Sequence, residues 1–380
     1  MATLWKKSGV LLACCGGLLV SSGGLTLLRG GLSPWDTHQL VDESSFRNAA
    51  ELVGTPDLYD FDSYAALQTQ EYQVTESFRM FLRPPWYAFA AIWLAHLSSP
   101  TALIAWRILM GLAAALFVVL WKKPWEAALA ICWSVPLVLA LVQGQDDSLI
   151  LAGLAVGLFF ARSGKDFLAG VALALCSIKP NLFILVPFVL LFTRRGRMAL
   201  GLSVGLGSLM GVSFLVQGAA WPIEFMAILL RPSLYNSYPH GVSLLYLAQN
   251  GGSVFKGTTA VALLAVAIAC VRRISQARGL EAGLCAAMAA AVVTSPHAYL
   301  HDALLVVPFA LLSLEAASNW TRALAFFMLS SLWTVPFILT EGDPWNSPVA
   351  TALIALPVAG LLWNSAQENF LRAQQTSVLS

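Results

Sequence analysis

The sequence predicts an all-α polytopic membrane protein, on two observations. Of 380 residues 58% are hydrophobic and only 11% are charged, where an ordinary soluble domain carries about 25% charged residues. The apolar residues also fall in long runs, as at 8–28, 101–121 and 197–217. About 20 apolar residues at 1.5 Å rise span the hydrocarbon layer. The net charge of +2 is too small to argue for nucleic acid, and no basic run interleaved with aromatics is present.

Twelve spans are predicted: 8–28, 101–121, 125–142, 147–161, 167–178, 181–193, 197–217, 257–271, 279–294, 302–318, 321–339 and 348–364. Together they make a single integral membrane domain over 1–380, with a long loop at 30–83 and a short tail at 366–380. Lys6 and Lys7 precede the first run without a small-residue cleavage site, so the first helix is expected to stay uncleaved. The cysteines Cys14, Cys15, Cys132, Cys176, Cys270 and Cys285 all lie in apolar segments without metal-ligand spacing and read as small core hydrophobes.

Basic loops set the orientation. Lys6–Lys7, Lys122–Lys123, Arg162 with Lys165, Arg194–Arg195 with Arg197, and Arg272–Arg273 with Arg278 can share the cytoplasmic face, provided that 84–97 does not cross. That stretch has 14 residues, short for a crossing, and reads as re-entrant or interfacial. Both termini are then cytoplasmic. The polar, non-basic turns gather on the other side: 30–83, Gln143–Asp147, Ser177–Asn181, 218–256, Ser295–Asp302 and Glu341–Asn346.

These turns hold the candidate chemistry. The 30–83 loop is rich in carboxylates, among them Asp36, Asp42, Glu43, Asp57, Asp60 and Glu71. Phe46, Ala49, Ala50 and Val53 form an apolar stripe, which predicts a helix lying on the membrane surface. Asp42 at its start has two readings, a helix cap or a general base for an acceptor hydroxyl. Lys179, before the helix-breaking Pro180, is either a site residue at membrane depth or a snorkelling lysine. His297 and His301 stand four apart with Asp302 adjacent. They lack the Glu of an H-E-x-x-H site, so no metal is expected, and they suit hydrogen bonding to an anionic or hydroxylated substrate. Gln145 and Asp146 sit in a V-Q-G-Q-D-D-S turn that reads equally as a solvated hairpin tip. Arg83 and Arg107 are further cations, and Arg107 reads as snorkelling.

In this order the elements resemble glycosyltransferase family 87, membrane mannosyltransferases of the GT-C fold that use polyprenyl-phosphate sugars. The resemblance rests on DESSFRNAAELVGTPDLYD (42–60), FLRPPWYAF, QGQDDS, SIKP followed by TRRGR, and SPHAYLHD. It departs where Glu43 replaces an aromatic after the first Asp, where Arg83 replaces an aromatic or aliphatic residue, and where the late turn lacks a Trp and an adjacent His pair.

The resemblance implies an inverting hexosyltransferase, with a mannose-like sugar and no cofactor. Its partners would be a polyprenyl-phosphate-linked sugar donor, a lipid or glycan acceptor and membrane lipids. It implies Asp42 as catalytic base, and places Lys179, His297, His301 and Arg83 at the donor phosphate. Tyr59, Asp60, Gln145, Asp146 and Asp302 would bind substrate at the outer face of the inner membrane. Two rivals remain from the residues alone. One is a transporter or lipid flippase without catalysis; the other is an acyl- or phosphotransferase built on Asp146–Asp147.

Overall fold

The computed structural model describes residues 12–23, 41–73, 78–231, 242–248, 251–330, 333 and 348–378. Asp36, the Glu341–Asn346 turn and the end of the 321–339 span lie outside them. The described residues are helices, turns and 3-10 segments, with no strand among them. The helices are α1 (Leu12–Gly23), α2 (Glu43–Leu52), α3 (Phe61–Tyr72), α4 (Pro85–Ala90), α5 (Ser99–Leu120), α6 (Pro124–Cys132) and α7 (Val135–Gln143). They continue as α8 (Asp147–Arg162), α9 (Asp166–Ala174), α10 (Pro180–Phe183), α11 (Val186–Phe192), α12 (Gly196–Gln217) and α13 (Trp221–Leu229). The chain ends with α14 (Ser253–Thr294), α15 (Val307–Ser313), α16 (Asn319–Leu329) and α17 (Pro348–Val378).

Among the described residues α5, α12 and α14 are each long and apolar enough to cross a bilayer, and α6 with α7, bent by 65°, would make a fourth span. Twelve crossings are therefore not established by helix length. The apolar side chains of these helices face outward, as Leu112, Val119 and Leu215 do. An exposed apolar surface of this extent suits lipid, and the molecule is a membrane protein. The 42-residue α14 breaks at Gly279, where φ is +80°, a value that favours glycine. That break separates the two spans expected at 257–271 and 279–294. The 84–97 segment forms α4 and a 3-10 turn, Ile92–His96. Six residues of α-helix rise about 9 Å, so it makes no continuous crossing. Helix α17 runs on into the expected tail as far as Val378.

Helix α8 sets the two ends of the molecule apart. Its 16 residues rise about 24 Å, from Asp147 at one end to Arg162 at the other. At the Arg162 end, Arg162 and Lys122 both pair with Glu281, at 2.7 and 2.5 Å. Lys123 joins Glu126 and Glu315 there, at 3.0 and 2.9 Å. Two of the basic loops expected on one face, those of Lys122 and of Arg162, thus meet through Glu281.

Helices α9 and α12 pack without room for side chains. A Cβ on Gly170 would stand 2.0 Å from the Met198 carbonyl oxygen, and one on Gly201 2.0 Å from that of Phe167. Small residues let membrane helices approach this closely, and here the obstacle is backbone, which cannot move aside cheaply. Gly201→Leu is expected to abolish the monodisperse peak in detergent size-exclusion chromatography. Gly211→Leu on the same helix, where a Cβ meets nothing within 4 Å, is expected to keep it.

The first loop is folded into the bundle, which corrects the expected surface helix. In α2 every residue from Glu43 to Ala50 is buried. Phe46 is the plug, with its ring against those of Phe81, Tyr87 and Trp106 at centroid distances of 6.4, 5.6 and 5.3 Å. Burying one such ring contributes about 2–3 kcal/mol. Several polar side chains of α2 find partners inside. Ser44 Oγ donates to the Val41 carbonyl, Ser45 Oγ to that of Asp42, and Asn48 Oδ1 accepts from Gln68 Nε2. Beyond α2 the loop is pinned by Gln217 at the end of α12, whose amide accepts from Gly54 N and donates to the Thr55 carbonyl. Of the cysteines, Cys14, Cys176, Cys270 and Cys285 are buried and Cys15 is exposed, all as free thiols.

Candidate active site

The turn between α7 and α8 is the centre of the site. Gly144 ends α7 at φ +69°, and a Cβ there would lie 2.4 Å from Glu43 Cβ, so both conformation and space call for glycine. From outside, α5 holds the turn. Trp106 Nε1 donates to the Gly144 carbonyl, and Arg107 donates to those of Leu141 and Val142 at 3.0 and 2.8 Å. Arg107 therefore satisfies the carbonyls at a helix C-terminus and does not snorkel.

Four side chains flanking Gly144 reach four distant segments. Gln143 Oε1 accepts from His301 Nδ1 at 3.0 Å, and Gln145 Nε2 donates to Asp42 Oδ2 at 2.7 Å. Asp146 takes both arms of Arg83, at 2.8 and 3.1 Å. Asp147 Oδ1 lies 2.6 Å from Lys179 Nζ. The solvated-hairpin reading of this turn is excluded, because Gln145, Asp146, Asp147 and Ser148 are all buried.

Lys179 follows the 3-10 segment Leu175–Ile178 and precedes Pro180, the first residue of α10. The proline stops α9 from continuing and turns the lysine inward. Its ammonium meets Asp147 and Asp302 at 2.6 Å each and Asp146 at 3.3 Å. Its three N–H groups therefore face three carboxylates. Asp302 Oδ2 also accepts from Tyr299 N at 2.7 Å. One residue beyond Pro180, Asn181 donates to Ser295 Oγ and to the His297 carbonyl, which fixes the late turn carrying both histidines. His301 and Asp302 are buried in the cluster, and His297 sits at its edge.

Asp42 stands apart in two ways. Its side chain makes no capping bond to α2; Oδ2 accepts from Gln145 and Oδ1 pairs with Arg79 Nε at 3.2 Å. The Asp42 side chain is also 28% exposed, against 0–2% for Asp146, Asp147 and Asp302. In this cluster it is the carboxylate that a ligand can reach. Arg79, not singled out from the sequence, is held by Gln68, whose amide donates to the Arg79 carbonyl and accepts from its N–H. A period-two reading of RMFLR, which puts Arg79 and Arg83 on one face of an extended segment, was the signal available for it.

Tyr59 and Asp60 make their contacts within the first loop and its flank. Tyr59 is buried, stacks on Phe81 and donates its hydroxyl to the Arg83 carbonyl at 2.8 Å. Asp60 is exposed and caps α3 through Ser63 N and Oγ.

Glu43, the departure beside Asp42, is wholly buried, and neither carboxylate oxygen has a hydrogen-bond partner. Burial pushes its pKa up to about 7 from 4.5, against the opposing pull of Arg47 and Arg107. Tyr72 faces the same carboxyl. The folded state thus holds the Glu43 proton more tightly than the unfolded chain does. Its contribution to stability is full below about pH 4.5 and is lost as pH rises through about 7, on the order of 3 kcal/mol in all. Thermal unfolding of the wild type is expected to show that decline between these pH values, and Glu43→Gln is expected to flatten it.

The sequence profile of glycosyltransferase family 87 matches residues 81–296, more than half of the chain. The matched stretch carries Arg83, Gln145, Asp146, Asp147 and Lys179; Asp42, His297, His301 and Asp302 fall outside it. The chain matches none of the curated proteins and none of the solved structures with which it was compared. With the family profile spanning the Arg83–Asp146–Lys179 core of the cluster, the chain belongs to glycosyltransferase family 87.

Proposed function

We propose that the chain transfers a hexose, mannose or a close relative, from a polyprenyl-phosphate donor to a lipid or glycan acceptor, with inversion and with Asp42 as general base. The observation that carries this reading is Asp42 itself, a partly exposed carboxylate held on both oxygens by Gln145 and Arg79 instead of capping its helix. Asp42 takes the proton of the acceptor hydroxyl as that oxygen attacks the anomeric carbon. The sugar–phosphate C–O bond breaks, and the electron pair leaves with the polyprenyl phosphate.

That leaving group needs charge stabilisation more than a proton. His297 at the edge of the cluster supplies hydrogen bonding to it, and Arg83 and Lys179 contribute through their field, since their donors face Asp146, Asp147 and Asp302. His301, bonded to Gln143, positions the late turn beside it. The site faces the extracytoplasmic side of the inner membrane and the basic end faces the cytoplasm, along with both termini.

Membranes containing the chain, incubated with radiolabelled polyprenyl-phosphate hexoses, are expected to yield a labelled lipid or glycan. Absence of transfer from every such donor would sink the reading.

A further inference from the structure

Lys179 is surrounded by side chains of the types that ligate divalent metals, with its ammonium group among them. One oxygen each from Asp147 and Asp302 and a ring nitrogen of His301 lie within 4.8 Å of one another, with Asp146 Oδ1 3.3 Å from the same ammonium. His301 Nδ1 bonds to Gln143 Oε1, which can only accept, so Nδ1 carries the proton. Nε2, 3.8 Å from Asp302 Oδ2, then turns a lone pair toward the carboxylates. An imidazole oriented in this way by a polar partner on its other nitrogen is the usual arrangement at a metal. Asp147 adds an unused ligand atom, because its side chain is 0% exposed and Oδ2 has no hydrogen-bond partner.

Three buried carboxylates cannot remain together without compensating cations. Arg83 neutralises Asp146 from one side. The ammonium, 2.6 Å from both Asp147 and Asp302, stands where a metal would meet those oxygens together.

We propose that Lys179 is the resident cation of a carboxylate–imidazole cradle made by Asp146, Asp147, Asp302 and His301, and that removing its side chain converts the cradle into a divalent-metal site. Carboxylate oxygens with one imidazole suit Mn2+. As a positioning residue, Lys179 keeps Asp146 and Asp147 in place, and with them the turn whose Gln145 holds Asp42. The link to transfer rests on the proposed function, but the metal binding does not.

The test uses the full chain in detergent and needs no sugar donor. Mn2+ binding is followed by electron paramagnetic resonance and by thermal unfolding. The wild type is expected to bind no Mn2+ in the cradle and to keep its apparent Tm in EDTA. Lys179→Ala is expected to bind about one Mn2+ per chain, to gain several degrees of Tm from it, and to lose both effects when Asp302→Asn is added. Should Lys179→Ala fail to fold with or without Mn2+, Lys179→Ala/Asp147→Asn removes one carboxylate along with the ammonium, and its Tm is expected to rise with Mn2+. Two results would overturn the proposal: wild-type Mn2+ binding that Asp302→Asn abolishes, or no Mn2+ binding by a folded variant lacking Lys179. If transfer from polyprenyl-phosphate donors proves absent, the binding results still decide this proposal.

Discussion

Arg83→Met is expected to lower the apparent Tm in detergent by on the order of 10 °C. Arg83 donates to Asp146 with two nitrogens, and Asp146 is fully buried. Burial pushes the Asp146 carboxyl up, and Arg83 and Lys179 outweigh it, holding the group below the usual carboxylate range. Methionine fills similar space but leaves that carboxylate short of a cation, and breaking a buried pair from one side costs about 3–5 kcal/mol. Adding Asp146→Asn removes the stranded charge, so the double variant is expected to regain much of the loss. If the two substitutions simply add, the pair is not coupled as the geometry requires. The effect should reach the first loop as well, because the Arg83 carbonyl accepts from Tyr59 and its guanidinium lies 5.8 Å from the centre of the Phe46 ring.

Asp42→Asn is expected to cut transfer by about 100- to 10,000-fold, the usual contribution of a positioned base. Asparagine keeps the size of the side chain and one oxygen for Gln145 or Arg79, so the variant should fold and bind donor. What it lacks is a site for the acceptor proton. The loss should therefore fall on kcat, with KM for the donor little changed. A variant that loses donor binding in equal measure would point to a substrate-binding role for Asp42.

Much of the fold was legible because lipid is an undemanding reader of sequence. Long apolar runs mark the helices whatever their partners, and Pro84–Pro85, Pro180 and Gly279 mark where runs break or turn. Basic loops predicted one charged end, and the structure joins two of them, at Lys122 and Arg162, through Glu281. The burial of α2 was not legible. Periodicity registers Glu43, Ser44, Ser45 and Asn48 as polar and assigns them to a surface. It does not register that Ser44 and Ser45 bond to carbonyls three residues back or that Asn48 meets Gln68.

The candidate residues were readable one at a time, and their convergence was not. Gln145 meets Asp42 from 103 positions away, Lys179 meets Asp302 across 123, and Gln143 meets His301 across 158. No local pattern encodes such pairings. The Q-G-Q-D-D-S turn nevertheless carried a usable signal, since two carboxylates and two amides around one glycine, between apolar helices, require partners if the turn is buried. Asp60 shows the converse. It stood inside the resembling segment, and its carboxylate caps its own helix.

That contrast provides the most direct test. Initial rates of label transfer from a polyprenyl-phosphate hexose should be measured for wild type, Asp42→Asn and Asp60→Asn, purified and matched for folded protein. A rate near wild type is expected for Asp60→Asn, and a loss of at least about 100-fold for Asp42→Asn. Transfer by Asp42→Asn at the wild-type rate would contradict the role of Asp42 as base.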